Sequence, residues 1–388
     1  MILNQATPTS VVNQPRGLVI VNGEVLQGVV SFEVDNNSYF QADTFRLVIA
    51  LSAQPPSRDA SYWSTQTSLQ VELLAGYPDN PLNYTRTDLK SLLTGYVDDM
   101  EIDQLRDEIV FAGRDLTAML IDTKPTVKYS QLGFQTVNGT YTELFSSEIA
   151  TQIAKDVGLK SSVVKTPAIT GTLVNTVRKT INDRGTYWDI LTALAQLENY
   201  SVWVGGQTLH FEPRLSVNAG ADVYMMKSQA PTAKTNYVAN VCTMRFSRNL
   251  SVARGVTVTV SSFEQKSGKT VTATASRAHV RNRTTQGIGV TGLPPANYVR
   301  IISNANAAKC QQVANALLAD ISEKEMNLVA DLPADDKLTP QTPIQVIGSG
   351  MAFDQIYYPQ SIERRYSFDE GYRMTVRACN VSPDMGLV

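Results

Sequence analysis

At 388 residues and 42.5 kDa, with 43% hydrophobic residues, the chain exceeds one ordinary core, and roughly two to four domains are expected. A formal net charge of −2 excludes a global attraction to nucleic acid or to an acidic membrane. The opening stretch MILNQATPTSVVNQPRG has no basic-then-apolar signal, and no run approaches the roughly 18–20 apolar residues of a membrane span, so folding in a reducing cytoplasm is expected. Cys242, Cys310 and Cys379 are odd in number and scattered, which argues against a disulfide framework or a zinc site.

Residues 17–51 read as strands. Asn22-Gly23 separates two Val/Ile/Leu runs, and both residue types accept the positive φ of a tight hairpin turn. Thr44–Ser52 alternates Phe45, Leu47, Ile49 and Leu51 on one face. Pro55–Thr67 reads as a loop or short helix, and Leu69–Gly76 as a further strand. A hairpin across Ser91–Gly113 completes an antiparallel sheet of about six strands, enough to close a barrel or form a sandwich.

The pattern changes after Asp122. Thr140-x-x-Glu143 reads as a capping box opening a helix that stops at Gly158, with Phe145, Ile149, Ile153 and Val157 on its apolar face. A second helix has Thr186 as cap and Trp188, Leu191, Leu194 and Ala195 as its apolar face, and runs into a hairpin turning at Gly205-Gly206. Thr/Val-rich strands return from Asn240, Arg277–Ala296 reads as a Gly/Pro-containing loop, and a helix over 305–324 carries Cys310, Val313, Leu317 and Ile321. The fold class is mainly β (α+β): antiparallel β domains over 1–122 and 236–388 flank an α+β module over 123–235.

Two hairpins share one plan. GYVDDMEIDQLRDEIVFAGRD from Gly95 matches QSIERRYSFDEGYRMTVRACN from Gln360 in six pairs, Val97 with Ile362 through Asp115 with Asn380, all 265 residues apart and none identical. Each copy ends a β-rich segment, as duplicated barrels would.

Candidate chemistry is sparse. Gly287–Gly292 (GIGVTG) formally matches a dinucleotide fingerprint, but a polar loop precedes it and Leu-Pro-Pro follows, so no helix N-terminus can face a pyrophosphate. The acids from Asp98 to Glu108 fit no EF-hand register, and Asp99, Glu101 and Asp103 share one strand face that reads as solvated. The two histidines, His210 and His279, lie near no Cys and no nucleophile elbow. No catalytic residue, cofactor or metal is assigned. Glu264–Arg300 is locally basic, and Lys266, Lys269, Arg277, Arg281 and Arg283, with Arg300, form a candidate partner-docking arm.

FAGRDLTAMLID followed by an amphipathic helix ending in GL, and then TYWDILTALAQLENYSVWVGGQTLHFEP, resembles the central baseplate hub proteins of Mu-like contractile phages. Those hubs are related to the hub domains of type VI secretion spikes. The likeness covers roughly residues 17–382, and Gly113-Arg114-Asp115 and Trp188–Pro213 are its most specific stretches. It implies two tail-tube-like barrels per chain, so that a homotrimer matches a sixfold tube to a threefold spike. It further implies a non-enzymatic virion protein, assembled in the host cytoplasm, that nucleates the baseplate and encloses a DNA channel. The implied partners are spike, tube or tube-initiator, tape-measure and baseplate wedge proteins, without sequence-specific nucleic-acid binding or stable membrane insertion. Asp99, Glu101 and Asp103 would then line the channel. The alternatives are a tail-associated hydrolase or carbohydrate-binding β protein, and the same fold in a phage-like particle, a noncontractile tail or a secretion spike.

Overall fold

Asn22 and Gly23 take φ of 50° and 84°, and the hairpin they predict joins β1 (Arg16–Val21) to β2 (Glu24–Val25). β3 (Val29–Asn37) and β4 (Thr44–Ala50) follow, then a short α1 (Ala60–Ser64) that buries Trp63 completely. β5 (Gln70–Gly76), β6 (Lys90–Asp103), β7 (Glu108–Asp115) and α2 (Thr117–Asp122) complete the first part. The computed structural model describes residues 2–4, 14–38, 40–124, 134–137, 140–143, 145–166, 185–214, 222–229, 231, 238–264, 268–277, 294–303, 305–350 and 352–380.

In the middle part, Thr140–Glu143 does not open a helix. It is strand β9, paired with β8 (Phe134–Val137), and α3 (Ser146–Asp156) starts three residues after Glu143. The Glu that caps α3 is Glu148, whose carboxylate accepts from the Phe145 amide at 2.9 Å. Gly158 ends the helix at φ 79° as its sequence position predicts. β10 (Lys160–Val163) leads towards α4 (Tyr187–Glu198), where Thr186 and Asp189 cap each other reciprocally at 3.2 and 2.8 Å. β11 (Tyr200–Gly205) and β12 (Thr208–Pro213) form the predicted hairpin. Ile149, Ile153, Leu191, Leu194, Val202 and Phe211 close a separate core between helices and strands.

In the last part come β13 (Tyr224–Gln229), β14 (Val238–Ala239), β15 (Thr243–Arg248) and α5 (Leu250–Ala253). An insertion follows that is larger than one helix: β16 (Val256–Glu264), β17 (Lys269–Arg277), β18 (Ala296–Ser303) and α6 (Ala307–Ser322). The three strands form their own sheet, and α6 covers Val256, Val258 and Val260 with Cys310, Val313 and Ala314. β19 (Met326–Pro333), β20 (Ile344–Ile347), β21 (Ile356–Ser367) and β22 (Gly371–Asn380) return to the main sheet.

The two β-rich ends of the chain are one sheet. β15–β19–β22–β21–β3–β4–β7–β6 is an unbroken antiparallel run, with Ser361–Ser367 of β21 paired to Ser31–Asn37 of β3. One face is mostly apolar: Phe32, Leu47, Phe111, Leu328, Ile362 and Val376 share a single core. β13, expected within the middle module, pairs with β20 and contributes Tyr224 and Met226 to that core.

The duplicated hairpins are real, but the uniform 265-residue spacing is not their register. Phe111 of β7 faces Met100, whereas Val376 of β22 faces Ile362. The second strands therefore keep the spacing of 265, while the first strands align 262 apart. That alignment superposes the bulges, at Asp98 and at Gln360. β21–β22 runs two residue pairs further, to Ser367 and Gly371, before it turns.

Arg364, 3% exposed, fastens the seam between β21 and β3. Its guanidinium donates to Asn36 Oδ1 at 2.6 Å and to the Leu338 carbonyl, and Asn36 in turn donates to Asp43 and to the Leu92 carbonyl at 2.8 and 3.1 Å. Arg364→Ala leaves those acceptors without their charge-assisted bonds, each worth ~1.5–3 kcal/mol. Urea denaturation should show a loss of roughly 3 kcal/mol, and an unchanged midpoint would remove Arg364 from this role.

Candidate functional site

Opposite its core, the eight-strand run presents a charged face. Asp99, Glu101 and Asp103 lie on it because they alternate with Met100 and Ile102, and the β7, β4 and β3 positions beside them continue that face across the sheet. Asp99 and Glu101 are exposed. Asp103 has a local task, accepting the amides of Leu105 and Arg106 at 2.9 and 3.0 Å to shape the hairpin turn. The face is not uniformly acidic: Arg46, Arg245, Arg365 and Arg377 share it, and Arg365 bridges the seam to Glu33 at 3.5 Å and pairs with Glu363. Burial and the neighbouring Glu363 hold the Glu33 and Asp35 carboxyls above their ordinary range.

Gly113-Arg114-Asp115 forms the joint from this sheet into the middle part. A Cβ on Gly113 would stand 2.1 Å from the Tyr96 carbonyl, so the two strands can approach there only without a side chain. Arg114 grips Asp98 through two bonds of 2.7 and 2.8 Å and reaches Asp122 on α2 at 3.1 Å. Asp98 is thus an ion-pair partner rather than one more solvated acid. Asp115 accepts the Thr117 amide and hydroxyl at 3.2 and 2.8 Å, which starts α2.

Asp115, Asp43, Asn36 and Arg364 line a cavity of about 280 Å³ where the seam meets the β11–β12 turn, with Trp203 and Asp336 on its wall. Asp43 and Asp115 superficially form a catalytic carboxylate pair. Every oxygen is already engaged, however, since Asp43 accepts from the Asn37 amide at 2.7 Å and from Asn36, and Asp115 from Thr117. Burial pushes Asp43 up to about 6, against the hydrogen bonds that lower it; burial and then the Asp43 charge raise Asp115 as well. No group of three or more His, Cys, Asp or Glu among the described residues could hold a metal ion.

His210 is structural. Its ring stacks on Trp203 with centroids 4.7 Å apart, and Nδ1 lies 3.2 Å from Glu212. His279, the Gly287–Gly292 stretch and the arm residues Lys266, Arg281 and Arg283 lie outside the described residues. Of the rest of the arm, Lys269 and Arg300 are exposed. Arg277 is not presented to a partner: it binds Glu325 at 2.7 Å, and Arg248 takes the other Glu325 oxygen at 2.7 Å. Glu325 is 1% exposed, and the triad ties the β16–β18 insertion to the main sheet.

Sequence reading missed Arg364, Asn36 and Asp43. The available signal was phase, because Arg364 alternates with Ile362 and Tyr366 and must point inward with them.

No protein-family model and no curated protein sequence matches the chain. Solved structures do match, over nearly its whole length. A tail protein from Neisseria meningitidis MC58 aligns at TM-score 0.64 and 15% identity, covering 96% of this chain and 99% of its own. The 43 kDa tail protein of prophage MuSo2 from Shewanella oneidensis aligns at 0.60 and 14%, covering 95% and 99%. An E. coli type VI secretion component, described as similar to the T4 tail proteins gp27 and gp5, aligns at 0.51 and 10%, covering 95% and 78%. The chain has the fold of these tail proteins.

The raised Asp43 carboxyl predicts a pH signature. Unfolded, it titrates near 4; folded, near 6, so the native state holds an extra proton between those values. Its contribution is complete below pH ~4 and is lost as pH rises to ~6. Asp43→Asn should flatten that fall by roughly 3 kcal/mol in denaturation series from pH 4 to 7. Parallel curves for the two proteins would show that Asp43 titrates normally.

Proposed function

We propose that the protein is a structural baseplate hub, a homotrimer that joins a sixfold tail tube to a threefold spike. The observation that carries the reading is the end-to-end likeness to tail proteins, which spans all three parts of the chain rather than one module. The internal duplication fits it. Two equivalent hairpins in one sheet give each chain two tube-like units, and three chains give six. In this reading the three sequence units stand as two tube-like β domains around a middle module. The charged face of the eight-strand run lines the channel, with Asp99 and Glu101 among its walls. Its arginines make that wall mixed in sign, which favours passage of DNA or protein without a fixed grip. Exposed Lys269 and Arg300 belong to a docking arm for an acidic partner.

A hydrolase is the weaker reading, because the buried Asp43–Asp115 carboxylate pair is consumed by backbone, Asn36 and Thr117 bonds. A type VI spike setting keeps the same architecture, and the likeness to the E. coli secretion component supports it as the second context.

Light scattering of the purified chain should give a mass near three times 42.5 kDa, alone or once tube and spike proteins are added. A chain that stays monomeric under both conditions contradicts the hub.

A further inference from the structure

We infer that residues 249–325 form a hinged arm, held in one position by a two-pronged charge latch between α6 and the middle part. The inference goes beyond the hub reading and does not depend on it.

The arm has a narrow root. The chain leaves the main sheet at Arg248 and re-enters it at Met326, and these two residues are register partners across β15 and β19. Both crossings therefore lie side by side, joined by the Asn249 amide donating to the Glu325 carbonyl at 2.7 Å. The buried Glu325 carboxylate sits at the same point, between Arg248 from the main sheet and Arg277 from the arm. That clamp pins the root without fixing the far end, because a body on two adjacent crossings can still swing about them. Beyond the root the arm carries its own core, of Val256, Val258, Val260, Cys310, Val313 and Ala314 among others. Among the described residues, that core shares no member with the main core or the middle core. An arm built this way keeps its fold at whatever angle it stands.

Charge sets the angle. Lys309 and Asp320 lie three turns apart, about 16 Å, on one face of α6. The middle part meets them with Glu198, at the end of α4, and Arg214, just past β12. Lys309 Nζ lies 3.9 Å from Glu198, and Arg214 pairs with Asp320. The two prongs spring from neighbouring points of the middle part, since the Arg214 amide donates to the Asn199 carbonyl. Their signs are crossed, positive then negative along α6 and the reverse on the middle part. Sliding or reversing α6 would set like charges together, so the latch accepts one position only. Glu198 is buried and also accepts from the Ser146 hydroxyl at 3.1 Å, whereas the Asp320 side chain is 34% exposed and open to solvent. Beneath the latch the three bodies do not close on one another. Phe40, Tyr358 and Cys379 of the main sheet, Arg214 of the middle part, and Asp320 and Glu323 of the arm line a cavity of about 500 Å³. A polar junction around a cavity parts at the cost of its charge pairs rather than of a packed core. Exposed Lys269 and Arg300 ride on the arm, so a partner bound there favours whichever position it fits.

The test is the distance between spin labels at Lys155→Cys on α3 and Ala308→Cys on α6, both exposed, in a full chain whose exposed Cys242 is replaced by Ser. Pulsed electron resonance should give one narrow distance in this parent. Asp320→Arg sets two guanidiniums together and should raise the share of a longer distance at least about fivefold. Asp320→Asn only removes the attraction and should raise it less. Arg214→Asp combined with Asp320→Arg rebuilds the pair with its signs exchanged and should return the narrow distance. A single distance unchanged in both Asp320 variants overturns the latch. A longer distance that persists in the exchanged pair also overturns it, because this contact is then not what holds the arm. The readout needs no assembly, so a failed latch leaves the hub reading standing, and a chain that never assembles leaves the latch standing.

Discussion

Everything in this molecule depends on seven residue pairs between β3 and β21, strands from opposite ends of the chain. That pairing converts two β-rich segments into one sheet with one core. Its inner face would be an ordinary apolar seam but for Arg364, which is buried and committed to Asn36 and the Leu338 carbonyl. Asn36 passes the constraint to Asp43 and to β6 through the Leu92 carbonyl. A buried polar chain of this kind contributes little net stability compared with an apolar filling, but it permits only one register. Register matters here, because a one-residue slip would exchange the core face for the charged face over the whole run.

The same constraint links stability to function. Because β21 is held to β3 only beyond its bulge, the part before the bulge is free to branch into β20 and β13. β6 branches likewise into β5, β1 and β2. Each half of the molecule is thus a sheet that curls away on one side and leaves a paired or open edge on the other. The middle part and the β16–β18 insertion attach at the ends of this framework, through Arg114 with Asp98 and Asp122, and through Glu325 with Arg248 and Arg277. Their own cores are separate from the main one. The hub reading needs that arrangement: a rigid wall around a channel, with smaller bodies hung where partners dock.

Local elements were legible in the sequence because local chemistry specifies them. Thr186 with Asp189, Asn22-Gly23 and Gly205-Gly206 act within a few residues, and each forms as its spacing predicts. Thr140-x-x-Glu143 misled because the same spacing fits a strand, and pairing with Phe134–Val137 decided between them. The duplicated hairpin was visible as hydrophobic phase, but its register was not, because a bulge shifts one strand without changing the alternation. The β3–β21 seam was invisible, since strand pairing over more than three hundred residues leaves no local mark. Arg277 read as a surface cation and is an internal clamp, because its partner Glu325 is distant in sequence. What did carry across was the mainly β class and the likeness to phage tail proteins, both properties of long patterns rather than of single residues.

The most direct measurement is an electron cryomicroscopy structure of the assembled oligomer. The account predicts three copies in a ring around a channel, with the charged face of the eight-strand run inward. An assembly of another stoichiometry, or one that turns that face outward, would contradict it.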